Sequence, residues 1–162
     1  MRILLKVSGE QLAGTGDHGI DVSFINWLAD EIKQVVEAGN EVVIVPGAGN
    51  WIRGADFAGN GVERSTADYM GMLAGIINGQ AVMDIFQSRG IPTRVMSSIR
   101  VEQICEPYIR RKAIRHLEKG RVVIVSGGTG RPYYTHDTAG VTYGLELDCQ
   151  VVIKATNVDG VF

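Results

Sequence analysis

Three glycine-bearing clusters and a few charged residues beside them carry the chemistry legible in this sequence. They are Lys6, Val7, Ser8 and Gly9; Gly47, Ala48, Gly49 and Asn50, followed by Arg53; and Gly127, Gly128, Thr129 and Gly130. Each follows a short β-branched apolar run. Glycine lets backbone N–H groups approach a ligand closely, and the N-terminus of a following helix adds positive potential, so the natural guest of such loops is a phosphate. One cluster alone reads first as turn punctuation; three that converge on one sheet edge read as a nucleotide site. Lys6 ends an otherwise apolar strand, where an ammonium aimed at phosphate competes with an edge-strand lysine in water. Asp68 and Asp137 sit near predicted helix starts, where a carboxylate is commonly a cap, the local reading preferred for Asp137. His136 beside it is either a site residue or a loop histidine. No GxGxxG opens a helix after the first strand and no Gly-Lys dipeptide exists, which demotes the usual dinucleotide and Walker A loops.

The elements that must position these residues follow from periodicity. Five β-branched runs, 2–7, 41–45, 93–97, 121–126 and 150–155, alternate with four segments of helical period, which predicts an α/β fold with a parallel sheet covered on both faces. Phe24, Leu28, Ile32, Val35 and Val36 recur at helical spacing after a Ser23 N-cap, and Gly39 closes that helix. A second helix over 64–88 is apolar in nearly every direction and carries a ridge of Gly71, Gly75 and Gly79, fitting either close packing on the sheet or a subunit interface. A third is expected from near Pro107 to Gly120.

A length of 162 residues with 45% hydrophobic content suits one globular domain. Sixteen basic against eighteen acidic residues give a net charge of −2, which argues against gripping nucleic acid by bulk charge. Cys105 and Cys149 belong to no metal-binding or redox pattern, the apolar runs are too short to span a bilayer, and no signal-peptide pattern is present, so a cytoplasmic protein away from the membrane is expected.

Five spaced motifs together resemble the bacterial uridylate kinases, a branch of the amino acid kinase family. They are Lys6-Val-Ser-Gly-Glu10; Gly47-Ala-Gly-Asn50 with Arg53 and Gly54; Ala67-Asp-Tyr-Met-Gly-Met72; Gly128-Thr-Gly-Arg-Pro132 through Asp137; and Lys154-Ala-Thr-Asn-Val-Asp-Gly160. The resemblance implies a three-layer α/β/α sandwich with a mainly parallel sheet that transfers the γ-phosphoryl group of Mg-ATP to UMP. It also implies a cytoplasmic homohexamer under GTP and UTP control. By the same resemblance, Lys6, Val7, Ser8 and Gly9 meet the ATP phosphates, and Ala48 and Gly49 line the gap between donor and acceptor phosphates. Arg53 holds phosphate, and Asp68 takes the ribose hydroxyls of UMP. Thr129, Gly130, Arg131, Pro132, Tyr133, Tyr134, Thr135 and His136 enclose the uracil, Asp137 orients the catalytic lysine, and Thr156 and Phe162 begin the adenosine pocket. Mg²⁺ is expected to be held mainly by ATP oxygens and water.

The sequence departs from the family pattern at three places. Ala48 replaces the middle glycine of a Gly-Gly-Gly-Asn motif and requires a negative φ; Arg131 replaces an asparagine and His136 a threonine. The resemblance also implies a longer donor half, so the expectation is a complete UMP side and an ATP side truncated at Phe162, with UMP bound, ATP bound poorly and little turnover, an inactive fragment of the kinase being one alternative. A non-catalytic nucleotide or oxyanion store on the same fold, like the molybdenum storage proteins, and a kinase of another small acid are the competing readings.

Overall fold

A computed structural model describes residues 1–52, 57 and 60–156. Its centre is a six-stranded sheet in the order β4-β3-β5-β2-β1-β6, and every pairing is parallel. The strands are β1 Arg2–Val7, β2 Glu41–Pro46, β3 Thr93–Ser97, β4 Glu106–Pro107, β5 Val122–Ser126 and β6 Val151–Ala155; the helices are α1 Gly9–Leu12, α2 Val22–Glu37, α3 Arg64–Ser88, α4 Arg110–Glu118 and α5 His136–Glu146.

The strand side chains alternate between two cores, as the period of a strand buried on both faces demands. Val42, Ile44 and Ile124 join Ile25, Leu28, Ile32 and Phe86 beneath α2 and α3. Val43, Val45, Val123 and Val125 join Ala113, Leu117, Tyr143 and Leu147 beneath α4 and α5. Helices therefore cover both faces, giving the expected α/β/α layering.

Two local expectations are corrected, and a third, left open, is resolved for two glycines. The α2 cap is Asp21 rather than Ser23, because the Asp21 carboxylate accepts the N–H groups of both Ser23 and Phe24 at 2.8 and 3.3 Å. Pro107 lies in a sixth strand rather than opening a helix; Glu106 and Pro107 pair with Met96 and Ser97 at the sheet edge, where a missing N–H is tolerated, and α4 starts at Arg110. The glycine ridge of α3 faces two ways. A methyl on Gly79 would meet Ser126 Oγ at 2.3 Å and one on Gly75 would meet His136 Nε2 at 3.2 Å, whereas Gly71 has open space around it. Gly75 and Gly79 thus serve the chain's own packing.

What α3 leaves exposed is a stripe of Leu73 and Ile77 beside Trp51, bordering an apolar groove of about 290 Å³. Along β6, Val151, Val152 and Ile153 are 36–46% exposed. Among the described residues no helix is long and apolar enough to cross a membrane.

Candidate functional site

The carboxyl ends of β5, β2 and β1 are neighbours in the sheet, so the three glycine clusters that follow them meet at one edge. Their approach is backbone to backbone. A methyl on Gly9 would stand 2.3 Å from Gly49 N and 2.8 Å from Ala48 C, and one on Gly47 would stand 2.9 Å from Gly9 N. Ser8 caps α1 by accepting the Gln11 N–H at 3.3 Å, which fixes the turn after β1. In the third cluster Gly127, Gly128 and Gly130 adopt φ of +83°, +57° and +76°, and Tyr143 donates its hydroxyl to Gly128 O at 2.9 Å. Ala48 lies outside the left-handed region, so its methyl meets the conformational condition set by the sequence.

The second cluster is stapled from below by a pair the sequence did not reveal. Asn50 and Asn78, both fully buried, exchange side-chain hydrogen bonds at 2.9 and 2.7 Å; Asn78 also donates to Gly47 O, and Asn50 to Gly19 O. The Trp51 indole donates to Asn78 Oδ1 as well. Such a satisfied buried network fixes a loop that would otherwise be free to move. Asn78 sits mid-helix without a motif around it, so nothing short of its pairing distinguishes it.

Lys6 is buried, with its side chain 11% exposed, and β1 is an inner strand, so it is no edge lysine. Strand register sets Lys6 of β1 beside Lys154 of β6, and the Asp137 carboxylate reaches both, 2.8 Å from Lys6 Nζ and 2.7 Å from Lys154 Nζ. Gly140, one turn along α5, lies over the Lys6 stem, where a methyl would make an ordinary contact at 3.5 Å from Lys6 Cβ. The preferred local reading of Asp137 as a cap is overturned: Thr135 caps α5 by accepting the Thr138 N–H, which frees the carboxylate for the two ammonium groups. Lys154, which the sequence analysis placed in a motif without a role, lines the same cleft as Lys6 and Asp137.

Burial alone would raise the Asp137 pKa, but hydrogen bonds and charge from Lys154 and Lys6 outweigh it and hold the carboxyl below its usual range. Because the folded value lies under the unfolded one, the stability this cluster contributes is present above the ordinary carboxylate range and is lost as pH falls through the depressed value. The gap in thermal stability between the wild type and Asp137→Asn should therefore shrink on acidification. A gap that stays constant down to acid pH would contradict the pairing.

Two clefts meet over the glycine loops. One, of about 300 Å³, is lined by Lys6, Ser8, Gly9, Glu10, Gly47, Ala48, Gly49, Thr135, His136, Asp137, Lys154 and Thr156. The other, of about 120 Å³, is lined by Ala48, Gly49, Ile52, Ala67, Asp68, Gly71, Met72, Gly128, Thr129, Tyr134 and His136. They share Ala48, Gly49 and His136. Asp68 is not a cap but the fifth residue of α3, paired with Arg64 at 2.9 Å, and its Oδ2 accepts the Tyr133 N–H at 2.7 Å. It thereby ties the 129–135 loop to α3. Tyr133 carries φ +70° and its ring lies under the Arg64 guanidinium, 5.8 Å from its centroid.

Of the sequence-predicted residues, the structure brings Lys6, Ser8, Gly9, Ala48, Gly49, Asp68, Thr129, Tyr134, Thr135, His136, Asp137 and Thr156 to these clefts. Val7 is buried in the core, while Gly130, Arg131, Pro132 and Tyr133 line neither cleft, and Arg131 is exposed. Arg53 and Phe162 lie outside the described residues.

The amino acid kinase family model matches residues 1–162. The chain belongs to that family. Within it, this chain is 54% identical over 161 residues, 99% of its length, to a protein named uridylate kinase from Salinibacter ruber, and it spans 62% of that relative's length. Its fold superimposes on a UMP kinase from Bacillus anthracis with a TM-score of 0.94 at 37% identity, covering 99% of this chain and 67% of that one. A UMP kinase from Ureaplasma parvum gives 0.93 at 33% identity, with 99% and 68% covered.

Proposed function

We propose that this amino acid kinase transfers the γ-phosphoryl group of Mg-ATP to UMP, forming UDP. The observation that carries the reading is the junction of the two clefts, a lysine-lined one for the donor phosphates and an Asp68-lined one for the acceptor, at Ala48 and Gly49. The names of the relatives agree with it.

The acceptor is itself a phosphate. With a second pKa of about 6, a nucleoside monophosphate is mostly dianionic at neutral pH, so its oxygen needs no general base. The barrier lies in bringing two polyanions together, and catalysis is positioning plus charge neutralisation. Lys6 supplies a buried cation where charge develops, Asp137 aims it, and Lys154 stands beside it on the donor side. Backbone N–H groups around Gly9 and Gly49 supply fixed donors, and Arg53 is assigned to phosphate by its place in the motif. Thr156 begins the adenosine side, with Phe162 following it. Thr129 and Tyr134 face the pyrimidine. A Mg²⁺ ion would arrive with ATP, held mainly through phosphate oxygens and water. When bound, it would offset phosphate charge.

Titration calorimetry with UMP tests the reading against the storage alternative. UMP binding with little affinity for molybdate is expected; tight oxyanion uptake without UMP binding would overturn it. Asp68→Asn should weaken UMP more than ATP, by roughly tenfold, since a charged acceptor is lost toward ribose hydroxyls and the tether to Tyr133 loosens. Equal losses for both nucleotides would argue that Asp68 serves only the fold.

The exposed stripe of α3 is assigned to contact with a second copy of the chain, in a homo-oligomer. Ile77→Asp, at a position 50% exposed, should shift the sedimenting species toward monomer without lowering thermal stability. Gly75, which faces His136, is no test of the interface. A wild type already monomeric at micromolar concentration would dismiss the assignment.

A further inference from the structure

Ala48 and Gly49 line both clefts, and neither they nor Gly47 carry a polar side chain that could anchor the loop. Their placement is set by whatever holds their backbone. Gly47 N–H donates to Val7 O at 2.7 Å, and Ala48 O accepts the N–H groups of Trp51 and Ile52 at 3.0 and 3.1 Å. Beneath these lies the buried amide pair of Asn50 and Asn78.

The way round in which that pair sits is decided by three groups that bond in only one sense. Gly19 O and Gly47 O can only accept, and the Trp51 indole N–H can only donate. Asn50 Nδ2 meets Gly19 O at 2.7 Å, Asn78 Nδ2 meets Gly47 O at 2.7 Å, and Trp51 Nε1 meets Asn78 Oδ1 at 2.8 Å. With the two bonds exchanged between the amides, both protons and both lone pairs of Asn78 are used. Turning the Asn78 amide over would set its NH₂ against the indole N–H and its oxygen against Gly47 O. Trp51 thus helps hold Asn78 in the one orientation that supports Gly47. The Trp51 side chain, 40% exposed, lines the apolar groove with Met70, Leu73 and Ile77 of α3. Its ring therefore belongs to the groove and its N–H to the network.

We propose that Trp51 is a positioning residue for phosphoryl transfer: acting through Asn78, it sets the place of the 47–49 loop between donor and acceptor. This rests on the UMP kinase reading, and it adds a residue that lines neither cleft. The task of a loop at the junction is alignment. A displacement of about 1 Å there can cost on the order of a hundredfold in rate, because transfer needs the reacting atoms close and in line. Binding of either nucleotide alone tolerates such a shift better. Loss of the indole N–H should therefore fall on kcat.

Trp51→Phe is the test, since it removes the donor and keeps an aromatic ring for the groove; at a part-exposed position it should stay folded. Three quantities are read: amide hydrogen exchange by NMR, UMP affinity by calorimetry, and steady-state kinetics. Exchange is expected to quicken about tenfold at the amides of positions 47, 51 and 52, as when one supporting hydrogen bond is lost. The Gly130 amide, which bonds Gly127 O in the neighbouring loop, should exchange as in the wild type. The expected kcat is lower by about tenfold, with UMP affinity within about threefold of the wild type. Trp27→Phe, at the chain's other tryptophan on α2, should match the wild type in all three. Unchanged exchange at the three amides, or quickened exchange with wild-type kcat, would overturn the inference and leave the kinase reading standing. A loss of UMP affinity as large as the loss of kcat would place Trp51 in binding rather than alignment and overturn it as well. A wild type that forms no UDP would overturn the transfer reading, and the part of Trp51 in transfer with it.

Discussion

Lys6→Ala is expected to lower kcat for UMP phosphorylation by about a hundredfold or more while leaving UMP affinity within a few fold of the wild type. Lys6 lines the larger cleft and not the Asp68 cleft; on the proposed reading its ammonium is aimed where charge develops between the phosphates rather than at the resting acceptor. Its burial makes the charge effective, because water is not there to screen it. Asp137 would keep Lys154 as a partner, so the variant should stay folded. Steady-state kinetics beside UMP calorimetry separate the two effects. Near-normal kcat would remove Lys6 from the chemistry, and a collapse of UMP affinity would place it in acceptor binding instead.

The second large effect is expected from adding one methyl group at two neighbouring glycines. Gly9→Ala should cost about 3 kcal/mol or more, because its Cβ would meet backbone atoms of Gly49 and Ala48 that cannot rotate away. Gly49→Ala should change stability by less than about 1 kcal/mol, since among the described residues its Cβ would meet the Glu10 side chain at an ordinary 3.6 Å. Gly49 lines both clefts, however, so the same methyl should weaken nucleotide binding by roughly tenfold. Thermal unfolding and UMP titration of the two variants would show the contrast. Equal stability for both would mean that the loops after β1 and β2 are not in backbone contact.

Strand positions and the convergence of the glycine loops were legible because buried parallel strands announce themselves as β-branched runs, and three of the five runs lead into glycine clusters. Pro107 misled because proline at a helix start and proline on an edge strand look alike until the partner strand is known; two residues of β4 give no periodicity. Asp137 misled for a related reason. Locally it resembles a cap, and only the register of β1 against β6 shows two lysines waiting for it. Asn78 was invisible, since a lone polar residue in an apolar helix carries no pattern and its meaning lies in Asn50, 28 residues away. Asp68 was expected to be a site residue and lines a cleft, but its bond to Tyr133 N–H depends on a left-handed tyrosine that no spacing rule anticipates. Long-range pairing, in short, is where the sequence pattern ends and the fold begins to choose.

The central claim is that the two clefts are the donor and acceptor sides of one phosphoryl transfer, meeting at Ala48 and Gly49. Following γ-labelled ATP with UMP and Mg²⁺ by phosphorus NMR tests it most directly. The account predicts that label appears in the β-phosphate of UDP, only when UMP is present, and that Lys6→Ala suppresses its appearance. Label released as inorganic phosphate at the same rate with and without UMP, and none in UDP, would contradict it.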